Sequence, residues 1–265
     1  MNKIKAIFVD IDWTLLDHAK KPAEFDLISL NALKKAQEKG VLVFLASSRH
    51  YHSIEQVGIL DLFTPDGIIS TNGAEVIFKD QVIYRTKIEE KLFNELCHEA
   101  NKLDVNVQGI RLFDSFLINY QLENVNRLFA TYPERIPDFE DYENQDVIGA
   151  MLFVEPKNEY LFEETLNKFE YIWRIHPFAL YLSSQYFNKG TGVKFALDYL
   201  KIKPSEAAAI GDDLQDISMF KEVEHSFAMG NAILNCQKEA KYITKSVQDH
   251  GVKAALEQLN IDTNN

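Results

Sequence analysis

Two pairs of carboxylates, each directly after an apolar run, carry the chemistry open to this chain. Asp10 and Asp12 follow Ile4 to Val9, and Asp212 and Asp216 follow Ala207 to Ile210. Side chains alternate along an extended segment, so Asp10 and Asp12 can point the same way while Ile11 turns into the protein. Crowded like charges raise one pKa, which lets one carboxylate stay ionised as a nucleophile or metal ligand while its neighbour holds a proton to donate. A helix starting at Asp213 would turn Asp212 and Asp216 toward the strand ends as well. A hard divalent cation resolves such a concentration of charge, and Mg²⁺ takes one or two carboxylates, waters and a phosphate oxygen. Plainer roles exist for the same residues: Asp10 and Asp12 as cap or turn residues beside Thr14, and Asp213 as a helix-start carboxylate favoured by the macrodipole.

A phosphoryl group at such a centre needs hydrogen-bonding and positive partners for its equatorial oxygens. Ser47, after the apolar run Val41 to Ala46, can offer a hydroxyl, and Lys189 a charge. Taken singly, a serine at a strand end is a cap and a lone lysine is a solvated one. Their order in the chain gives them weight.

The elements that must position these groups follow a βα rhythm. Strands are predicted at Ile4 to Val9, Val41 to Ala46 and Ile68 to Ser70, with helices at Phe25 to Lys39 and His52 to Leu60. Gly40 is the first helix's stop signal. The Asn72-Gly73 turn precedes a hairpin of Glu75 to Phe78 and Val82 to Tyr84. From Thr86 to Phe187 the grammar changes. Strands at 105–110, 115–120, 147–154, 171–176 and 180–186, helices at 88–103, 125–131 and 159–169, and a loop with Pro133 and Pro137 predict an antiparallel sheet with helices on one face. Alternation resumes after Lys189, with helices at 191–200, after Asp213 and at 252–259, and strands at 207–210, 226–229 and 242–244. The expected architecture is α/β: a doubly wound parallel-sheet core of residues 1–85 and 188–265, with an inserted α+β cap domain at 86–187. In doubly wound sheets ligands sit at the carboxyl ends of the strands, which is where the acidic residues fall.

Composition narrows the class. The chain has 265 residues, 46% of them hydrophobic and 26% charged, as in an ordinary soluble globular protein. A net charge of -12 with scattered basic residues argues against a nucleic-acid surface. No apolar run approaches the length of a membrane span. The N-terminus runs straight into a strand, so no signal peptide is expected, and Cys97 and Cys236 are expected as free thiols of a cytoplasmic protein. His50 and His52 form an HxH, read as helix-start histidines because no third ligand follows at metal spacing. Asp262 to Asn265 read as a frayed tail.

Taken together, Asp10-x-Asp-x-Thr14, Ser47-x-Arg49, Asn188-Lys189-Gly190-Thr191-Gly192 and Gly211-Asp212-Asp213-x-x-Asp216 resemble the four motifs of the haloacid dehalogenase-like hydrolase superfamily, in order. Phe227 to Ala232 and Thr71 to Ala74 further resemble its Cof-type branch, which has an α/β cap inserted between the second and third motifs. The resemblance implies a Mg²⁺-dependent phosphatase in which Asp10 is the nucleophile, forming an aspartyl-phosphate, and Asp12 the general acid/base. It implies that Ser47 and Lys189 bind the phosphoryl group, and that Asp10, the Asp12 carbonyl, Asp212 and Asp216 hold the metal. Arg49 and Asn72 are expected to orient the phosphate or leaving group. Small phosphorylated metabolites, sugar phosphates or phosphorylated cofactors, are the implied substrates, for a monomer or homodimer. Trp13 stands where the family has glycine or another small residue, and it narrows the entrance or disturbs the turn. Ser48 and Gln215 replace a common glycine and asparagine. A phosphomutase on the same scaffold, and a phosphometabolite-binding protein with weakened catalysis, are the alternatives. Phe116, Tyr120, Tyr181, Tyr186 and Phe187 are candidate ring-stacking residues, with sheet core as their commoner role.

Overall fold

The computed structural model describes residues 3–119, 123–130, 135–143 and 145–261. The expectations placed on Tyr120, Thr131, Pro133 and the tail from Asp262 to Asn265 lie outside the described residues.

The chain opens with β1 (Ala6–Val9), every residue of which is buried. A short antiparallel pair follows, β2 (Leu16–Asp17) and β3 (Glu24–Phe25). The 25–39 periodicity is realised as α1 (Leu27–Glu38), two residues shorter at its start because Asp26 caps it, accepting from the N–H groups of Ile28 and Ser29 at 3.1 and 3.2 Å. Next come β4 (Leu42–Ala46), α2 (Tyr51–Gln56) and α3 (Ile59–Leu62). One helix was expected over 52–60. Gly58, at φ +84°, breaks it into two, since the left-handed conformation cannot continue a right-handed helix. β5 (Gly67–Ser70), β6 (Glu75–Phe78) and β7 (Gln81–Arg85) complete this half.

The insertion contains α4 (Glu90–Lys102), β8 (Val107–Ile110), β9 (Ser115–Ile118), α5 (Glu123–Phe129), β10 (Gly149–Leu152), α6 (Glu163–Leu166), β11 (Tyr171–His176) and β12 (Ala179–Ser183). The helix expected over 159–169 is instead a 3-10 segment at Pro156–Phe162 running into α6. The chain then gives α7 (Lys189–Leu200), β13 (Ala207–Gly211), α8 (Ile217–Phe220), β14 (His225–Ala228), α9 (Leu234–Glu239), β15 (Tyr242–Ile243) and α10 (Gly251–Gln258).

The molecule divides into two compact units. The first, residues 1–49, 58–84 and 187–265, holds an eight-stranded sheet of order β15-β14-β13-β1-β4-β5-β6-β7. Strands β15 to β5 run parallel, and β6 is antiparallel to β5. The chain leaves β1 toward β4 and β5 on one side and returns through β13 and β14 on the other. The order therefore reverses at β1, the kind of position at which ligands bind in doubly wound sheets, and Asp10 stands at its carboxyl end.

The second unit, residues 50–57 and 85–186, holds an antiparallel sheet of order β11-β12-β10-β8-β9. The segment 50–57, which the sequence pattern placed with the core, groups here: Tyr51 meets Phe113 edge-on with centroids 5.1 Å apart, and Gln56 Oε1 accepts from Arg135 N at 2.9 Å. Helices cover both sheet faces, not one. Phe93, Leu96 and Leu166 pack with Phe116, Ala150, Leu152 and Leu182, while Val125 and Leu128 of α5 pack with Leu117, Met151 and Phe178. The strands are apolar at both alternations, so each face needs a cover. Phe116, Tyr181 and Phe187 are buried as core, whereas Tyr186 is exposed. Cys97 and Cys236 are buried free thiols.

Candidate active site

Parallel pairing brings the carboxyl ends of β1, β4 and β13 to one sheet edge, with Val9 level with Leu45 and Ile210. The residues one or two positions further on, Asp10, Ser47 and Asp212, consequently share that edge. Lys189 arrives from α7, whose start is fixed by a reciprocal cap: Asn188 Oδ1 accepts from Thr191 N at 2.9 Å, and Thr191 Oγ1 from Asn188 N at 3.0 Å. The loop Thr71-Asn72-Gly73 lies against this turn. Gly73 is at φ +99°, and a Cβ there would sit 2.1 Å from the Asn188 carbonyl oxygen, so only glycine permits the approach.

Lys189 is 3% exposed, and its ammonium lies 2.5 Å from Asp10 Oδ1 and 2.7 Å from Asp216 Oδ1. Asp216 is the brace of this cluster. Its other oxygen accepts from the N–H groups of Asp212 and Asp213 at 2.8 and 3.0 Å, closing the turn after β13. Gly211 is required beside it, since a Cβ there would fall 2.4 Å from the Asp216 carboxyl carbon. Thr14, fully buried, donates to Asp212 Oδ1 at 3.1 Å and ties the first motif to the last. The helix expected from Asp213 is a 3-10 turn, Leu214–Asp216, followed by α8, with Asp213 as its N-cap.

Burial pushes the Asp10 carboxyl well above the usual range; Lys189 opposes this, but the charges of Asp216, Asp212 and Asp12 add to it. Asp212 is pushed up to about 7, first by burial and then by Asp216. Burial would lower Lys189, yet the carboxylates of Asp10 and Asp216 hold it above its ordinary value, so it stays an ammonium. Three carboxylates around one ammonium leave negative charge uncompensated in a buried site. One oxygen each from Asp10, Asp212 and Asp216 lie within 4.8 Å of one another. That all-oxygen donor set fits a hard divalent cation.

Asp12 belongs to a second cluster. Arg49 grips it with both branches of its fork, Nε to Oδ2 and Nη2 to Oδ1 at 2.8 Å each, and His18 Nε2 lies 2.7 Å from Oδ1. Burial alone would raise Asp12, but the hydrogen bonds from His18 and Arg49 and their charges hold it well below the usual carboxylate range. Arg49, expected on the phosphate, is thus turned onto the neighbouring aspartate. Ser47 is fully buried, and its hydroxyl accepts from Arg49 N at 3.2 Å. Ser47 O accepts from Asn72 N at 2.9 Å, and Asn72 Oδ1 is buried without a hydrogen-bond partner.

Trp13 sits at φ +58°, the left-handed region in which a non-glycine residue costs roughly 1–2 kcal/mol. The turn holds it there. Trp13 N donates to Leu16 O, and Asn231 Nδ2 donates to Trp13 O, both at 2.8 Å. Its indole is 41% exposed and leans on His18 with ring centroids 5.3 Å apart. Sequence reasoning missed His18 and Asn231 as site residues. His18 carries no local signal, whereas Asn231 stands in the Gly230-Asn231-Ala232 turn after β14. His50 caps α2, its Nδ1 accepting from Ser53 N at 3.2 Å.

A doubly wound α/β sheet with a buried lysine enclosed by aspartates at its switch point defines a phosphoryl-chemistry class of enzyme core, and the comparisons with known proteins agree. The family model described as haloacid dehalogenase-like hydrolase matches residues 7–256, and the chain belongs to that family. It is similar to YkrA of Bacillus subtilis, a protein named provisionally as a phosphatase: 28% identical, over 97% of this chain and 98% of that one. It is also similar to the B. subtilis 5-amino-6-(5-phospho-D-ribitylamino)uracil phosphatase YcsE, at 26% identity over 96% and 94% of the two chains. Among solved structures, the sugar phosphatase BT4131, of subclass IIB, superposes with a TM-score of 0.76 and 26% identity, covering 97% of this chain and all of that one. Among the described residues no helix is long and apolar enough to cross a membrane.

Proposed function

We propose that this protein is a Mg²⁺-dependent phosphatase that hydrolyses small phosphorylated metabolites through an aspartyl-phosphate on Asp10. The observation that carries this reading is the enclosure of the Lys189 ammonium between Asp10 and Asp216, with Asp212 alongside. Asp10, Asp212, Asp216 and the Asp12 carbonyl are the groups offered to the metal, with Asp216 also bracing the turn after β13. The cation, when bound, neutralises the carboxylates and the phosphate charge.

In the first step an Asp10 carboxylate oxygen attacks phosphorus and the bond to the ester oxygen breaks. Asp12, which takes up a proton from solvent once Arg49 has turned away, passes that proton to the oxygen, which departs as an alcohol. In the second step water attacks phosphorus, its proton goes to Asp12, and the bond to Asp10 breaks, releasing phosphate. Lys189 and Ser47 balance and orient the equatorial oxygens throughout. For Asp12 to act, Arg49 must loosen its grip, and an arriving phosphate dianion is a competing partner for a guanidinium.

The inserted unit is proposed as the cap that reads the leaving group and excludes water. Sugar phosphates and phosphorylated cofactor precursors are the favoured substrates, on the support of what BT4131 and YcsE are named for. Reduced turnover on account of Trp13 gains no support from the geometry, because the residue already occupies the glycine-like conformation its turn requires.

The test is phosphate release from a panel of phosphorylated metabolites, with Mg²⁺ and with chelator, for the natural sequence and Asp10→Asn. Metal-dependent release absent from the variant is expected. No release from any compound would overturn the reading.

A further inference from the structure

His18 lies outside every motif, yet it makes the second strong contact to the carboxylate read above as the acid/base. His18 Nε2 lies 2.7 Å from Asp12 Oδ1, hydrogen-bonding distance between an imidazole and a carboxyl group. Among the described residues Oδ1 has two nitrogen partners, Arg49 Nη2 and His18 Nε2, and Oδ2 one, Arg49 Nε. The imidazole is itself placed by Trp13, whose turn is fixed through Leu16 and Asn231. The residue that departs from the small side chain expected at its position thus leans on the one new contact to Asp12.

We propose that His18 is a positioning residue for the Asp12 carboxyl, and that Trp13 holds the imidazole in that role. His18 anchors Oδ1, so that when Arg49 moves toward a phosphate the carboxyl keeps its orientation. Oδ2, which loses its Arg49 partner, then takes up a proton from water and presents it to the leaving-group oxygen. Without His18 the Arg49 fork is left as the anchor of both oxygens among the described residues, and its departure leaves the carboxyl to rotate about its side-chain bonds. This inference rests on the phosphatase reading. It adds a positioning residue that the motifs do not contain.

The experiment compares kcat/KM for a series of aryl phosphates from 4-nitrophenyl to 4-methoxyphenyl phosphate, which share a shape but differ in how much the departing oxygen needs a proton. His18→Ala is expected to leave the nitrophenyl ester within about twofold and to lower the methoxyphenyl ester about tenfold, since misplacing a general acid costs most where the leaving group is poor. His18→Gln keeps an N–H donor near the same place and should recover most of the loss on the methoxyphenyl ester. An equal fall on all esters, or none, for a folded His18→Ala protein would overturn the positioning role alone. If the unaltered protein with Mg²⁺ cleaves no ester in the series, the phosphatase reading fails and this proposal fails with it.

Discussion

Lys189 and Asp10 stand 179 residues apart in the chain, and their side chains meet at 2.5 Å, almost wholly buried. Neither group tolerates that environment alone. Desolvating an isolated ammonium or carboxylate costs several kcal/mol, and each makes the other's burial affordable. Asp216 completes the arrangement at 2.7 Å. The pair joins the strand end before the insertion to the helix start after it, and so closes the first unit around its site.

Replacing the cation exposes this dependence. Lys189→Met keeps the stem and removes the charge, leaving Asp10 and Asp216 buried without it. A loss of about 3–5 kcal/mol in urea denaturation near neutral pH is expected, as when one partner of a buried pair is deleted. Added Mg²⁺ should restore part of it. A loss below about 1 kcal/mol would show that the carboxylates do not need the ammonium.

Asp10→Asn should leave secondary structure and melting behaviour close to those of the natural protein, because the amide is nearly the same shape, Asp216 still pairs with Lys189, and the site loses one of several crowded carboxylate charges. Turnover should fall by about a thousandfold or more, since an amide cannot form the proposed aspartyl-phosphate. Near-normal phosphate release from the variant would assign the nucleophile elsewhere.

Metal binding should depend on pH with a definite sign. Asp212, pushed up to about 7, must be ionised to bind a cation. Above that value Mg²⁺ meets a carboxylate; below it the metal competes with a proton. The rise in melting temperature caused by Mg²⁺ should therefore be larger at pH 8 than at pH 6, and calorimetry in buffers of different ionisation enthalpy should record proton release. A metal-induced shift that does not vary over this range would overturn the proposal that Asp212 is a ligand.

Trp13→Gly relieves a left-handed conformation worth roughly 1–2 kcal/mol while adding about 0.5–1 kcal/mol of unfolded-state freedom, so stability should stay within about 1 kcal/mol. Activity on the best ester should change by severalfold at most, and the range of accepted esters should widen once the exposed indole is gone. A collapse of Mg²⁺ affinity would instead make the indole necessary to the metal loop.

The strand ends were legible in the sequence because each is an apolar run cut off by polar residues. Val9 gives way to Asp10, Ala46 to Ser47 and Ile210 to Gly211-Asp212, and burial of both sheet faces demands that contrast. The inserted segment was legible for a related reason, since adjacent strand patterns break the βα alternation between Arg85 and Lys189. The broken helix at Gly58 and the 3-10 stretch at Pro156–Phe162 were not, because local backbone conformation there overrides an apolar spacing that suits a longer helix.

The side-chain partnerships were decided by tertiary structure alone. No spacing could say that Arg49 faces Asp12, that Asp216 uses both oxygens to brace a turn and a lysine, or that His18 closes on the Asp12 carboxyl. A motif names the residue types that a strand end presents. Which of them pair depends on strand register, on rotamers and on the charge each buried group must neutralise, and those are set only when distant segments pack together.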